Sequence, residues 1–512
     1  MTNWTAGYVA DIGYTYGYYE ELNPQRIKLA LLKSGFVPPT IRTACELGFG
    51  QGLSANLHAA ASDIEWYGTD FNPSQAAFAQ ELAIASGSGA KLYDDSFADF
   101  ARRDDLPDFD YIGLHGIWSW ISDENRAVIV DFVRRKLKVG GVLYISYNTL
   151  PGWAAFAPLR HLMTEHSEVI GAEGRGIVSR IDDALDFADK MLATNPAFAR
   201  ANPLVAERVK AIKGQSRHYL AHEYFNRDWH PMHFSTMAEW LEPAKLSYAC
   251  SATFIDHIEQ INLTEDQQNF LKEIPDAMFR ESVRDFMVNQ QFRRDYWIKG
   301  PRSAPTMDRL AALRALRLVL VAPRADVPLK MNGVLGEAQL APTVYNPYLD
   351  LLADHKVKTF GEICDALVPT GIAFPMLMQA TLVLVGGGHV MFAQNDDTIA
   401  RARAGSRKLN DHLINIARSS TDISNLASPV TGGGIPVGRI NQLFIQAIQS
   451  GMTNPADYNP EIWKLLSAQN QRLIKDGQNL MGEAETLEEL KGLAASFHSK
   501  IMPIMKALHI LD

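Results

Sequence analysis

The sequence predicts an α/β protein built on a doubly wound parallel sheet, and three observations carry that expectation. Residues 43–70 run from an apolar strand, through a loop with a glycine at every second position, into an Ala- and Leu-rich helix and a second strand that ends on an acid. Up to residue 150, strand-like and helix-like segments alternate, the pattern of parallel pairing with right-handed crossovers. At 512 residues the chain also exceeds what one hydrophobic core supports, so further domains are expected.

Asn23-Pro24 opens the first helix, with the Asn side chain as cap and proline in the first turn, and Gly35 followed by Pro38-Pro39 stops it. The first strand is expected at Arg42–Leu47, a helix at Leu53–Ala61, the second strand at Ile64–Thr69 and a helix at Asn72–Ala85. Lys91–Tyr93 reads as a short strand and Phe109–Leu114 as the fourth. Ser122 caps the next helix, which carries Asp123 and Glu124 at its start and Arg134, Arg135, Lys136 and Lys138 near its end, as the helix dipole favours. Gly140-Gly141 stop it before strand Val142–Tyr147.

Beyond Pro151 the segments Ala154–His166, Ile177–Ala193 and Pro203–Lys213 are helical with no strand between them, which reads as an insertion. Sheet character resumes at Lys245–Cys250 and Asp295–Ile298, expected as late strands of the same sheet. From residue 301 a mostly helical domain is expected. Within it, Phe360–Leu367, Phe374–Val385, the Gly386-Gly387-Gly388 turn and Val390–Ala393 suggest two helices and a hairpin, a winged-helix-like arrangement. The expected division is therefore 1–155, a ligand-binding core with an N-terminal arm; 156–235, the helical insertion; 236–300, the late strands; and 301–512, a substrate or partner domain.

Lys plus Arg total 49 against 58 Asp plus Glu, a formal charge of -9 that disfavours nucleic acid as a partner. No apolar block precedes Arg26 and no apolar run reaches bilayer length, so a cytoplasmic protein without membrane insertion is expected. Cys45, Cys250 and Cys364 are isolated, which supports neither a disulfide framework nor a cysteine zinc site. His218, His222, His230 and His233 form the densest histidine group. They lack the second histidine of an H-E-x-x-H site and read as polar bonding in the insertion, with no metal expected.

The loop at 46–52 narrows the ligand. Glycines at 48, 50 and 52 let the backbone approach a ligand closely, and Asp70 falls about twenty residues later, where a carboxylate meets two ribose hydroxyls. A dinucleotide fingerprint spaces its glycines G-x-G-x-x-G to seat pyrophosphate, whereas here Glu46 precedes Gly48, Gly50 and Gly52 and repels phosphate. A nucleoside with a cationic tail fits, and S-adenosylmethionine is such a ligand. Phe71 stands beside Asp70; Asp95, Ser96 and Phe97 follow the third strand. His115, Gly116 and Trp118 follow the fourth, at the sheet end where open α/β folds bind ligands. Tyr14, Tyr16, Tyr18, Tyr19 and the tryptophans supply aromatic faces that attract cations at roughly 0.5 to 2 kcal/mol each.

Taken together, Tyr8-Val9-Ala10-Asp11-Ile12-Gly13-Tyr14, the 46–52 loop, Phe109-Asp110-Tyr111-Ile112, His115-Gly116-Ile117-Trp118-Ser119-Trp120, Gly140-Gly141-Val142 and Ser146 to Trp153 resemble the class I S-adenosylmethionine-dependent methyltransferases that carry a methyltransferase regulatory domain. The block His222-Glu223-Tyr224-Phe225-Asn226, with Trp229 and Pro231, resembles the regulatory region itself. Within that family the chain is most similar to the rickettsial-type lysine methyltransferases of outer-membrane protein, although Phe49 stands where many relatives carry cysteine.

The resemblance implies a Rossmann-like core and S-adenosyl-L-methionine as methyl donor, with S-adenosyl-L-homocysteine as product. It also implies lysines of a protein substrate, an outer-membrane or surface protein among the candidates, and it admits a homodimer. It places Tyr14, Tyr16, Glu46, Gly48, Gly50, Gly52, Asp70, Phe71, His115 and Gly116 at the cofactor. Asp95, Ser96 and Phe97 fall at the adenine edge, Tyr147 and Asn148 at the acceptor nitrogen, His115 as a proton acceptor and Trp118 in the wall. Two other readings stay open on the residues alone: transfer to a small molecule or sugar, and a catalytically silent cofactor-binding interaction protein.

Overall fold

Seven strands make the central sheet of the chain, described here from a computed structural model that covers Tyr8 and residues 12–171, 173–452 and 454–511. Of the N-terminal motif, Val9, Ala10 and Asp11 lie outside the described residues. The strands are β1 (Thr43–Leu47), β2 (Glu65–Thr69), β3 (Lys91–Tyr93), β4 (Phe109–Leu114), β5 (Leu137–Asn148), β6 (Leu246–Ser251) and β7 (Phe292–Lys299). Their order is β3-β2-β1-β4-β5-β7-β6; the first five run parallel, and β7 is antiparallel to both of its neighbours. The chain winds outward in one direction from β1 and in the other from β4, so the crevice between these two strands is the switch point where ligands of open α/β sheets bind.

Local chemistry sets the flanking helices. Asn23 caps α1 (Pro24–Lys33) by accepting from the Gln25 amide, and Asn72 caps α3 (Pro73–Ser86) by accepting from Ser74. Between them α2 (Leu53–Ala61) buries all nine of its residues, because it has a cover on each side and its polar members Ser54, Asn56 and His58 are hydrogen-bonded to Tyr19, Gly52 and Ala79, and Tyr18. One side is the sheet. The other is the long C-terminal helix Asp396–Ile416, tied on where Ser406 Oγ donates to the Ala60 carbonyl and Gln394 Nε2 donates to the Ala61 carbonyl. Residues beyond 301 therefore share a continuous apolar core with the sheet, in which Ala44, Trp66 and Tyr144 join Leu318, Phe360 and Val390.

Helices form at Ala157–Val169, Gly176–Ala193 and Leu204–Lys213, and the late strands pair into the sheet. The hairpin expected after Phe374–Val385 does not form. Strand Val390–Phe392 pairs instead with Arg317–Leu320, reaching back across both helices, because its alternate residues Val390 and Phe392 bury into the core beside that strand. Among the described residues no helix is long and apolar enough to cross a membrane.

Candidate active site

The loops after β1 and β4 and the N-terminal arm enclose a cavity with about 1150 Å³ of space free of protein atoms, its open mouth included. Its wall contains Tyr8, Tyr14, Tyr19, Glu46, Gly48, Gly50, Asp70, Phe71, Asp95, Ser96, Phe97, His115 and Trp120.

The glycine loop is shaped by three left-handed residues, with φ of 71° at Gly48, 58° at Gly50 and 68° at Gly52. A Cβ at Gly48 would meet Ile117 side-chain carbons at 2.9 Å and close the cavity. Gly52 faces the other way: a Cβ there would lie 2.4 Å from Ala79 Cβ, so this glycine seats α2 against α3 rather than facing the cavity. Asp70 fastens the loop, its Oδ2 accepting from the Gly50 amide at 2.8 Å and its Oδ1 from the Asn72 amide at 3.1 Å. Each oxygen keeps a second lone pair.

Glu46 is the electrostatic centre of the wall. It is 2% exposed, and its Oε2 has no hydrogen-bond partner among the described residues. Burial, with the neighbouring Asp70 charge, pushes its pKa up to about 8, and burial pushes Asp70 up to about 7. Two buried carboxylates that both resist ionisation are a site short of positive charge.

At the turn after β3, Asp95 pairs with Arg103 at 3.0 Å, and Ser96 caps the helix Phe97–Arg102. His115 stacks on Tyr19 with centroids 3.9 Å apart, and its Nδ1 lies 2.8 Å from the Tyr144 hydroxyl. Burial holds its pKa down to about 4, so the imidazole is neutral at physiological pH and too weak a base to keep an amine's proton.

Several expected site residues sit elsewhere. Tyr147 is fully buried on the opposite face of the sheet, its hydroxyl donating to Asp295 Oδ2 at 3.0 Å in a network that Arg293 extends to Asp285 and Glu281. Side chains alternate along a strand, and on β5 it is Tyr144 and Ser146 that face the cavity side; Ser146 Oγ accepts the Gly116 amide at 2.7 Å. Asn148 is 4% exposed and held through its backbone, its amide donating to Ser119 Oγ and its carbonyl accepting from Met232; it is not part of the wall. Trp118 is fully buried, donating from Nε1 to Met232 Sδ. The tight turn Trp118–Trp120 turns Trp120 to the cavity in its place, edge-on to Tyr14 at 6.4 Å. Gly116 shapes the turn with φ of 77° and does not line the wall. Tyr16 packs edge-on against Phe78 at 5.1 Å, among side chains that reach into the C-terminal domain. Tyr19 and Trp120, expected among the cation-attracting rings, do line the wall; Tyr8 and Gln51, which also line it, were not singled out as ligand contacts, although both stand in segments the sequence reasoning marked.

The histidine group has a mechanical task. On the helix Arg217–Tyr224, His218 Nδ1 lies 3.0 Å from the Gly13 carbonyl oxygen and His222 Nε2 lies 3.1 Å from that of Ile12, so the helix clasps the arm that roofs the cavity. From the other side, the C-terminal turn at 431–434 accepts an Asn23 side-chain amide at the Thr431 carbonyl and presses on Tyr18. Among the described residues no cluster of His, Cys, Asp and Glu is arranged to hold a metal.

A seven-stranded sheet with an acid and a glycine loop at its switch point defines a chain of the class I methyltransferase fold. Solved structures agree: PKMT2 from Rickettsia typhi, determined in complex with AdoHcy, superposes with a TM-score of 0.69 over 97% of this chain and 100% of that one, at 18% identity. A second structure of PKMT2 gives a TM-score of 0.67 at 16% identity, over 97% of this chain and 99% of that one. Residues 216–299 match the model of the predicted methyltransferase regulatory domain, a stretch that holds the arm-clasping helix, β6 and β7. More particularly, the chain belongs to the family of the uncharacterized protein sll1526 of Synechocystis sp., with which it is 39% identical over 99% of both chains. The uncharacterized protein RP789 of Rickettsia prowazekii is 25% identical over 54% of this chain and 49% of its own.

Proposed function

We propose that the chain is an S-adenosylmethionine-dependent methyltransferase whose acceptors are lysine side chains of a protein. The observation that carries this reading is the partnerless, buried Oε2 of Glu46 at the wall of a switch-point cavity, a group that asks for a cationic donor. The residues fit the cofactor. Glu46 suits its ammonium, the free lone pairs of Asp70 suit the ribose, and the glycine at 48 leaves room that a Cβ would fill. Asp95, Ser96 and Phe97 stand where the adenine edge would lie.

When bound, S-adenosylmethionine supplies a methyl group already activated on sulfur and leaves as S-adenosylhomocysteine. The protein's part is then positioning and charge management. Tyr14, Tyr19 and Trp120 bring aromatic rings, which attract cations, to the wall. An acceptor lysine has an ordinary pKa of about 10.4, and desolvation on entering an aromatic-walled cavity favours its neutral, nucleophilic form. The sequence likeness to protein-lysine methyltransferases supports the acceptor, with outer-membrane and surface proteins as the first class to test.

The test incubates the purified protein with methyl-labelled cofactor and a lysate of the native organism, then hydrolyses the labelled protein. Label recovered as methyllysine supports the reading. Label confined to small molecules, or to another amino acid, overturns it.

A further inference from the structure

The edge of the sheet carries a second cleft, apart from the switch-point cavity. Its space free of protein atoms is about 930 Å³, open mouth included, and its walls come from the outermost strand β6, the end of α1 and the helices Glu265–Glu273 and Ala277–Met287. All of these but α1 belong to the stretch that matches the regulatory-domain model. Four cations line the cleft, Lys33, Lys272, Arg280 and Arg284, against three acids. Glu281 is taken from beneath by Arg293 at 2.9 Å. Asp256 faces Arg284 at 3.9 Å and accepts from Ser251 Oγ at 2.7 Å, while Glu259 acts on Lys33. Lys272 and Arg280 donate to neutral oxygens instead, Asn269 Oδ1 at 3.3 Å and the Ile274 carbonyl at 2.7 Å. In a chain of formal charge -9, the cleft therefore holds two cations that none of its own carboxylates offsets.

Sheet register ties this cleft to the cavity. Glu46 of the cavity wall pairs with Gly113, Gly113 with Tyr144, Tyr144 with Tyr296, and Tyr296 with Cys250 of the cleft wall. Four strand spacings of about 4.8 Å separate the two by about 19 Å, a span that an extended chain covers in about six residues. Part-exposed side chains of β7 lie between them. Phe292 is edge-on to His115 at 6.2 Å, the Arg294 guanidinium stands 5.0 Å over the Phe292 ring, and the Arg294 carbonyl accepts the Ala252 amide at 2.8 Å beside the end of β6. We propose that the cleft docks an acidic stretch of the protein substrate, about six residues from the lysine that enters the cavity. Lys272 and Arg280 attract its carboxylates, and because the cleft is open to solvent their pull acts on association and fades with salt. The segment named as a regulatory domain thereby selects the substrate. The choice of occupant rests on the protein-substrate reading; binding of an acidic peptide does not need methyl transfer.

The probe is a dye-labelled peptide of alternating Glu and Gly without lysine, with Gln in place of Glu as the neutral control, read by fluorescence anisotropy on the full chain. Wild-type protein is expected to bind the acidic peptide at least tenfold more tightly than the control at low salt, and to lose most of that difference at high salt. Lys272→Glu combined with Arg280→Gln is expected to weaken acidic-peptide binding at least fivefold. Lys272→Glu alone, a change at an exposed side chain, reads in the same direction if the pair does not fold. In methyl transfer, a lysine peptide with Glu about six residues from the lysine should have a lower KM than its Gln counterpart in wild type, and the double variant should lose that advantage. Equal binding of the two peptides, or equal acidic-peptide binding in wild type and Lys272→Glu, overturns the proposal. So does a single-stranded oligonucleotide that binds more tightly than the peptide and is lost in Lys272→Glu, which would make the cleft a nucleic-acid site. If the acidic peptide binds but no lysine peptide is methylated, the methyl-transfer reading fails and the docking site stands.

Discussion

Replacing Glu46 with glutamine should make the empty protein more stable and the loaded one less so. Its carboxyl, ordinarily near 4.5, sits at about 8 in the fold because burial and Asp70 oppose its charge. A group with a raised folded pKa favours the fold fully below its ordinary value, and that contribution is lost as pH rises from 4.5 to about 8. Near pH 7.5 the cost is on the order of 2–4 kcal/mol, at about 1.4 kcal/mol for each tenfold change in proton affinity. The amide does not titrate and escapes it. At roughly 2 cal/mol/K per residue, a chain this long shifts its Tm by about 1 °C per kcal/mol if it melts in one step. Glu46→Gln should therefore melt about 2–4 °C above wild type at pH 7.5, with the difference shrinking toward zero at pH 5. The same change removes a charge-assisted hydrogen bond to the ligand, worth roughly 1.5–3 kcal/mol, or about ten- to a hundredfold in Kd. Differential scanning fluorimetry across pH, followed by calorimetry with S-adenosylhomocysteine, reads both effects. A Tm difference that stays flat between pH 5 and 8, or an unchanged Kd, would refute the electrostatic reasoning.

Three further outcomes are expected. Gly48→Ala, forced to φ of 71° with its Cβ 2.9 Å from Ile117, should weaken cofactor binding at least tenfold by calorimetry, and the paired change Ile117→Ala should recover part of it. Tyr147→Phe should leave kcat and KM near wild type while lowering stability in urea melts by about 1–3 kcal/mol, since it strips a buried partner from Asp295. Gly433→Ala places a Cβ 2.5 Å from the Tyr18 hydroxyl oxygen, so it should loosen the arm by about 1–3 kcal/mol, seen as faster amide exchange over residues 12–19, with partial rescue by Tyr18→Phe.

The parallel sheet was legible because each strand is bounded by a strong signal: glycines after β1, an Asn-Pro start before α3, a capped and charge-graded helix before β5. The glycine loop and Asp70 were legible because their chemistry lies within one βαβ unit, where sequence distance and spatial distance agree. Tyr147 and Trp118 were misplaced for a different reason. Which of two adjacent residues faces a cleft depends on strand parity and on a single tight turn, and a stretch buried on both faces, such as Val142–Tyr147, hides that parity. Tyr16 shows the same difficulty in an arm without regular structure. The cover of α2 left no local mark, because its partner lies more than 300 residues away in the chain.

The most direct test is isothermal titration calorimetry of the purified full chain with S-adenosylmethionine at pH 8, where Glu46 and Asp70 give up their protons most readily. One site per chain is expected, with protons released on binding and affinity falling as pH drops below 7. A folded protein that takes up no S-adenosylmethionine at millimolar concentration, or binds it without any pH dependence, would contradict the central claim that two charge-starved carboxylates form its seat.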